Sequence, residues 1–254
     1  MCRWLSYRGS SIFLEEMLYA PSHSLIEQSL HALEAKTPTN GDGFGIGWYA
    51  ERPSPGTYHE ILPAWNDANL RNIAAQVRSG NFFAHVRAST GTATSRQNCH
   101  PFSYNNWMFM HNGQIGDYCD LRRRLESDIS DELYAERTGT TDSELLFLLM
   151  LDRGLDEDPI KATKDMLKYL NQVMIEKNSK KPFRMTAAFT DGPRYYAMRY
   201  STDDKPPTLY YAQINNQLII MSEPSEDDAT TWVEVPPSTL IEATADNKLI
   251  FHDL

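Results

Sequence analysis

No stretch of this 254-residue chain comes near the ~20 consecutive apolar residues that a membrane helix needs. A basic stretch leading into an apolar one is also missing at the N-terminus, so no export signal is expected and the chain reads as a cytoplasmic protein. Cysteine is scarce. Cys2, Cys99 and Cys119 make an odd number with no CxxC pair, which argues against a disulfide framework and against a cysteine zinc site. Basic residues are outnumbered, 24 against 34 acidic ones, for a formal charge of −10. The short basic runs at Arg122, Arg123, Arg124 and at Lys180, Lys181 are isolated, and an acidic surface repels phosphate backbones, so nucleic acid is not an expected partner. Metal-binding patterns are missing as well: His85, His100 and His111 form neither HExxH nor HxH, so they are expected to hydrogen-bond in the core or line a pocket, and no metal is expected. Gly41, Gly43, Gly45 and Gly47 have no GK[ST] after them and fit no GxGxxG register, which leaves no phosphate loop and no expected cofactor.

What the chain does have is a hydrophobic content of 41%, enough for one large core, and an order of elements without internal repeats. Cys2 to Tyr7 reads as a short strand. A helix spaced on Leu25, Leu30 and Leu33 follows a cap at Ser22 or Ser24. Residues 43–51 suggest a glycine-threaded strand whose backbone approaches a neighbour closely, with a hairpin partner at 58–62. A helix is expected over 66–79 and doubly buried strands over 82–88 and 107–111. Thr141 or Asp142 caps a helix through Leu151, and Pro159 opens another to about Asn178. Short strands occupy the remainder from Phe183, ending in a hairpin over 239–251, while the acidic cluster from Glu223 to Asp228 reads as a solvated loop. Strands, then helices, then strands predict a layered α+β domain covering 2–254.

Cysteine directly after the initiator methionine is followed by DGFGIGWY (42–49), AHVRAST (84–90), NCHPF (98–102), FMHNGQI (109–115) and TDSE (141–144). In order and approximate spacing these segments resemble the class II glutamine amidotransferase family, and SEP (222–224) followed by WVEVPP resembles its small stand-alone members. The resemblance implies a four-layer αββα N-terminal-nucleophile hydrolase sandwich, two mainly antiparallel sheets flanked by helices. It also implies Cys2 as nucleophile, Asn112 and Gly113 as the oxyanion pair, and Arg87, Thr90 and Asp142 as substrate-binding residues. Ala88 departs from the tryptophan that often follows the arginine in synthetase-linked members.

The chemistry explains why these residue types are wanted. A thiol with a pKa of about 8.5 next to an α-amine at about 7.7 to 8.0 holds nucleophile and base in one residue. That arrangement requires removal of Met1, because an amide nitrogen accepts no proton. A tetrahedral intermediate needs preorganised donors, which a side-chain amide and a glycine N–H supply. One fixed cation and one fixed anion read the α-carboxylate and α-ammonium of a glutamyl group. Each residue also has a plainer reading: Cys2 an inert buried thiol, Asn-Gly a hairpin turn, Arg87 a strand-end ion pair, Asp142 a helix cap. For Cys99 and Cys119 the inert reading is preferred.

The expected activity is therefore cleavage of a γ-glutamyl amide through a Cys2 thioester, with a small-molecule substrate, glutamine or a γ-glutamyl compound. The alternatives are an ammonia-donating glutaminase subunit of a separate synthase and a catalytically idle glutamine-binding subunit. A separate synthase or peptidase subunit is a possible partner, and no second, acceptor-binding domain is expected in this chain.

Overall fold

In β1 (Arg3–Phe13) successive side chains face opposite ways: Trp4 enters an apolar core on one face, while Leu5 and Tyr7 enter another core on the opposite face. The computed structural model describes residues 2–33, 39–89, 91–225 and 231–254. After β1 come α1 (Glu15–Leu18), α2 (Leu25–Leu30), β2 (Phe44–Trp48), β3 (Gly56–Glu60), α3 (Ala68–Gln76), β4 (Arg78–Val86), β5 (Phe102–Tyr104) and β6 (Trp107–Gln114). The helices α4 (Tyr118–Glu126), α5 (Asp131–Ala135), α6 (Asp142–Asp152) and α7 (Pro159–Glu176) then precede β7 (Arg184–Thr190), β8 (Tyr195–Ser201) and β9 (Tyr210–Ile214). The last strands are β10 (Gln217–Met221), β11 (Val233–Glu234), β12 (Thr239–Ala243) and β13 (Leu249–Asp253).

Two antiparallel sheets result, ordered β11-β9-β10-β1-β4-β2-β3 and β13-β12-β8-β7-β6-β5. Alternation sorts their side chains into three cores. Trp4, Phe83, Met108, Met110, Ile220 and Ile241 fill the space between the sheets. Leu5, Phe82, Val86, Leu25 and Leu70 join the seven-stranded sheet to α1–α3, and Phe109, Phe147, Leu170 and Phe189 join the six-stranded sheet to α4–α7. This is the αββα layering, because each sheet is apolar on both faces and must be covered twice. Each large apolar side chain taken from water in this way contributes about 1.5–3 kcal/mol.

The glycines of β2 are explained by the close approach of the segment leading into β5 and of β6. A Cβ at Gly45 would lie 2.2 Å from the carbonyl oxygen of His100, and one at Gly47 would lie 2.5 Å from Met108 Sδ. A side chain at Gly45 would displace the backbone at His100, and one at Gly47 would displace the Met108 side chain.

Several elements differ from the expectations. β1 runs to Phe13 rather than Tyr7, since β4 pairs with it out to Phe13↔Arg78. The same pairing takes Arg78 and Ser79 from the expected helix, leaving α3 between its Asp67 cap and Gln76. Ser24 caps α2, accepting from the N–H of Glu27, but the helix stops at Leu30 and Leu33 is exposed. The Leu33 N–H instead donates to Glu223 Oε1 at 2.8 Å. Thr141, not Asp142, caps α6, accepting from the N–H of Glu144. The hairpin partner of β2 lies at 56–60 rather than 58–62. The basic run at 122–124 belongs to α4, whose Leu121 and Leu125 are buried one turn apart. Glu223 is buried, against the expectation of a solvated loop, while 226–230 lie outside the described residues.

Candidate active site

Cys2 enters β1, whose register places Arg3 opposite Val86 at the end of β4. The half-buried Cys2 thus sits against the segment that leaves β4, and the Ala88 N–H donates to its Sγ at 3.4 Å. Burial pushes the Cys2 thiol up from its ordinary pKa, opposed by the Ala88 backbone hydrogen bond and by the charges of Arg87 and Arg3. A thiol held neutral in this way needs an adjacent base to become a nucleophile.

Arg87, one residue before that contact, is buried. Nη2 of its guanidinium donates to Thr92 Oγ1 at 2.6 Å, the Ala93 carbonyl at 3.2 Å and Ser89 Oγ at 3.3 Å, and Nη1 donates to the Asp42 carbonyl at 3.4 Å. Its partners among the described residues are all neutral, so a buried cation is held in place without a counter-ion. Burying an unpaired charge is costly, and an anionic ligand would remove that cost. Thr90, expected to contact substrate, lies outside the described residues.

Asn112 and Gly113 are not a turn. β6 continues through both, with Asn112 paired to Thr186 and Gly113 to Met185 on β7. Asn112 shares the face of Met110, the face between the sheets, and its buried Nδ2 has no hydrogen-bond partner among the described residues. Glycine is required next to it. At φ 153° a Cβ would lie 1.9 Å from the carbonyl oxygen of Arg184 and 2.7 Å from His111 Nε2.

Cross-sheet bonds join these two halves. Trp4 Nε1 donates to Thr186 Oγ1 at 3.2 Å, and Thr186 is the register partner of Asn112. His85 on β4 approaches the His111 carbonyl through Nε2 at 3.3 Å. Asp142, in the first turn of α6, accepts from the N–H of Ile115 through Oδ2 at 2.8 Å, two residues beyond Gly113. Cys2, Arg87, Asn112, Gly113 and Asp142 therefore gather around the same ends of β4 and β6.

The three histidines support this region as neutral groups. Burial pulls His85 down to about 3 and His100 well below its usual value, and it lowers His111 as well. The His85 and His100 rings lie 4.1 Å apart, and His111 Nδ1 is 2.8 Å from Ser143 Oγ. No group of three or more His, Cys, Asp or Glu among the described residues could hold a metal ion. No helix there is long and apolar enough to cross a membrane. Cys99 is buried, its thiol pushed up to about 11 by that burial, and Cys119 is exposed on α4.

Sequence reasoning missed a buried polar cluster next to Cys2. Arg3 Nη1 donates to the Cys2 carbonyl at 3.1 Å, and Arg3 Nε pairs with Glu223 Oε2 at 2.7 Å. His23 Nε2 lies 2.7 Å from Glu223 Oε1, and Gln28 Nε2 donates to the Glu223 carbonyl at 3.1 Å. The signals in the sequence were the charged residue following Cys2 and the SEP segment at 222–224, neither of which shows by itself that Arg3 and Glu223 meet.

The model of the class-II glutamine amidotransferases matches residues 16–212. A probable glutamine amidotransferase of Saccharomyces cerevisiae is 33% identical, over 95% of this chain and 81% of its own. The γ-glutamyl-hercynylcysteine sulfoxide hydrolase of Mycolicibacterium smegmatis is 25% identical over 95% of both chains. Among solved structures, a glutamine aminotransferase class-II domain protein from Silicibacter pomeroyi matches with a TM-score of 0.79 and 36% identity over 99% of both chains. The glutamine phosphoribosylpyrophosphate amidotransferase of Bacillus subtilis shares the fold, with a TM-score of 0.68 and 17% identity over 99% of this chain and 49% of its own.

Proposed function

The chain belongs to the class II glutamine amidotransferase family, and from that premise we propose that it hydrolyses a γ-glutamyl amide through a Cys2 thioester, releasing glutamate and ammonia or an amine. The observation that carries this reading is the adjacency at the end of β4: the Ala88 N–H donates to Cys2 Sγ, and the residue before it is a buried arginine with only neutral partners among the described residues. The proposed nucleophile thus touches the residue next to the proposed carboxylate receptor.

Once Met1 is removed, the Cys2 α-amine takes the thiol proton and Sγ attacks the amide carbon. Asn112 Nδ2 and the Gly113 N–H receive the charge that develops on the carbonyl oxygen. The amine returns the proton to the leaving nitrogen as the C–N bond breaks, which leaves a γ-glutamyl thioester. Water, deprotonated by the same amine, attacks the thioester, the C–S bond breaks, and the thiol is restored. Arg87 binds the α-carboxylate of the substrate, Asp142 its α-ammonium, and Thr90 lies beside Arg87 in sequence as a further contact.

A γ-glutamyl compound larger than glutamine is the substrate we favour, a choice supported by the M. smegmatis hydrolase, whose name specifies such a compound. Comparing kcat/KM for L-glutamine and for γ-glutamyl peptides tests it, with mass detection of the thioester on Cys2. A clear preference for free glutamine, or strong activation by a co-purifying synthase, would instead support an ammonia-donating subunit. Absence of any thioester in processed protein would leave a glutamine-binding role.

A further inference from the structure

The loop after β4 and the loop before α6 are separate in sequence, yet one side chain holds both. Asn98 is buried. Its Nδ2 donates to the Ala93 carbonyl at 2.8 Å, and that same carbonyl accepts from Arg87 Nη2 at 3.2 Å. Its Oδ1 accepts from the backbone N–H of Thr140 at 2.8 Å, and its Nδ2 also donates to Thr140 Oγ1 at 3.1 Å. Thr140 stands two residues before Asp142. The next residue back, Gly139, packs closely against the same segment: a Cβ there would be 2.6 Å from Asn98 Oδ1 and 2.6 Å from the Gln97 carbonyl.

We infer that Asn98 is a specificity-determining positioning residue, a spacer that fixes the Arg87 guanidinium relative to the Asp142 carboxylate and so sets the span of an α-amino acid head group. The inference rests on the proposed reading of Arg87 and Asp142 as receptors of the α-carboxylate and α-ammonium. The two ends of the Asn98 amide are chemically distinct. The acceptor end serves only the Asp142 loop; the donor end serves the Arg87 loop and also reaches Thr140 Oγ1, a hydroxyl that can turn and donate to a carboxylate at position 98 instead. An isosteric change to Asp keeps the acceptor for Thr140 N–H but removes the donor to Ala93, and it sets a carboxylate that competes for Arg87 Nη2. Asn98→Asp therefore loosens one side alone.

Three chromogenic probes separate the two sides in the processed enzyme. L-γ-glutamyl-p-nitroanilide carries both head groups, glutaryl-p-nitroanilide carries only the carboxylate, and 4-aminobutyryl-p-nitroanilide carries only the amine. Asn98→Ala is expected to raise KM for the full probe about ten- to thirty-fold with kcat within about two-fold, and to change KM for the truncated probes little. Asn98→Asp is expected to raise KM for the full and glutaryl probes and to leave the aminobutyryl probe unchanged. The inference is overturned if Asn98→Asp raises KM equally for both truncated probes. It is also overturned if Asn98 variants lower the thermal midpoint while all three KM values stay at wild type. Asn98→Asp decides alone should Asn98→Ala fail to fold. Arg87→Ala and Asp142→Ala are run in parallel: if neither raises KM for the full probe, the receptor reading fails and the spacer role falls with it. If both raise KM and Asn98→Asp does not, only the spacer role fails.

Discussion

Glu223 holds Arg3 from the far end of the chain: its Oε2 lies 2.7 Å from Arg3 Nε, and its other oxygen lies 2.7 Å from His23 Nε2. Arg3 in turn holds the Cys2 carbonyl, so a residue 220 positions beyond Arg3 orients the proposed nucleophile. Removing one partner of a buried ion pair leaves the other charge uncompensated. Glu223→Gln is therefore expected to cost about 3–5 kcal/mol by chemical denaturation and to lower kcat in whatever folded protein remains. An unaltered denaturation midpoint would show that the pair holds nothing.

The thiols should divide by position. Cys2→Ala is expected to abolish turnover, and Cys99→Ala to keep most of it, because Cys99 is buried with its thiol pushed up to about 11 and is therefore a poor nucleophile at neutral pH. Cys119→Ala should likewise keep most of the turnover, whereas iodoacetamide should inactivate the enzyme by labelling Cys2, as read by peptide mass spectrometry. Protein retaining Met1 or an N-terminal tag should be inactive. A fully active preparation whose mass includes Met1 would sink the N-terminal-base mechanism.

Asn112 and the binding pair should differ kinetically. Asn112→Ala is expected to lower kcat roughly 10²- to 10³-fold with little change in KM, since its buried Nδ2 has no partner among the described residues and is proposed to meet the charge that develops during reaction. Arg87→Ala and Asp142→Ala should chiefly raise KM. An Asn112→Ala enzyme with altered KM and wild-type kcat would assign it to binding instead.

Stability should fall on the acid side because the interior histidines are neutral. His85, His100 and His111 have folded pKa values depressed by burial, His85 to about 3, against an unfolded value of about 6.5. Between the two values the unfolded chain binds more protons. The stability these groups contribute is thus complete above about 6.5 and lost as pH falls toward the folded values, each by up to about 1.4 kcal/mol per pH unit. Urea melts at pH 7.5 and pH 5.0 measure this, and His100→Gln should flatten the difference. Equal midpoints at both pH values in the wild type would count against neutral histidines.

The layered fold was legible because alternation and apolar runs mark most of the strands, and the ordered motifs marked the residues proposed for the site, Cys2, Arg87, Asn112, Gly113 and Asp142. The boundary errors share a cause. Arg78 and Ser79 have no strand character of their own and become strand only through pairing with Phe13 and Ile12, a non-local term that a local pattern omits. The Arg3–Glu223–His23 cluster was hidden for the same reason: SEP marks Glu223 as a motif residue, but only the fold brings Arg3 and His23 to it. Asn98 was read only as part of a motif, since its two partners, Ala93 and Thr140, lie 47 residues apart in sequence and meet in space.

In β6, Phe109 joins the helix-covered core and His111 meets Ser143 of α6, while Met110 and Asn112 face the opposite sheet. A strand with a job on each face tolerates no change of length. Inserting or deleting one residue before Asn112 would carry its amide to the helix side and thrust a histidine into the space between the sheets. Relatives of this chain are therefore expected to vary in length between strands, at hairpin tips such as the one joining β2 to β3, and to keep the residue count of β6 unchanged.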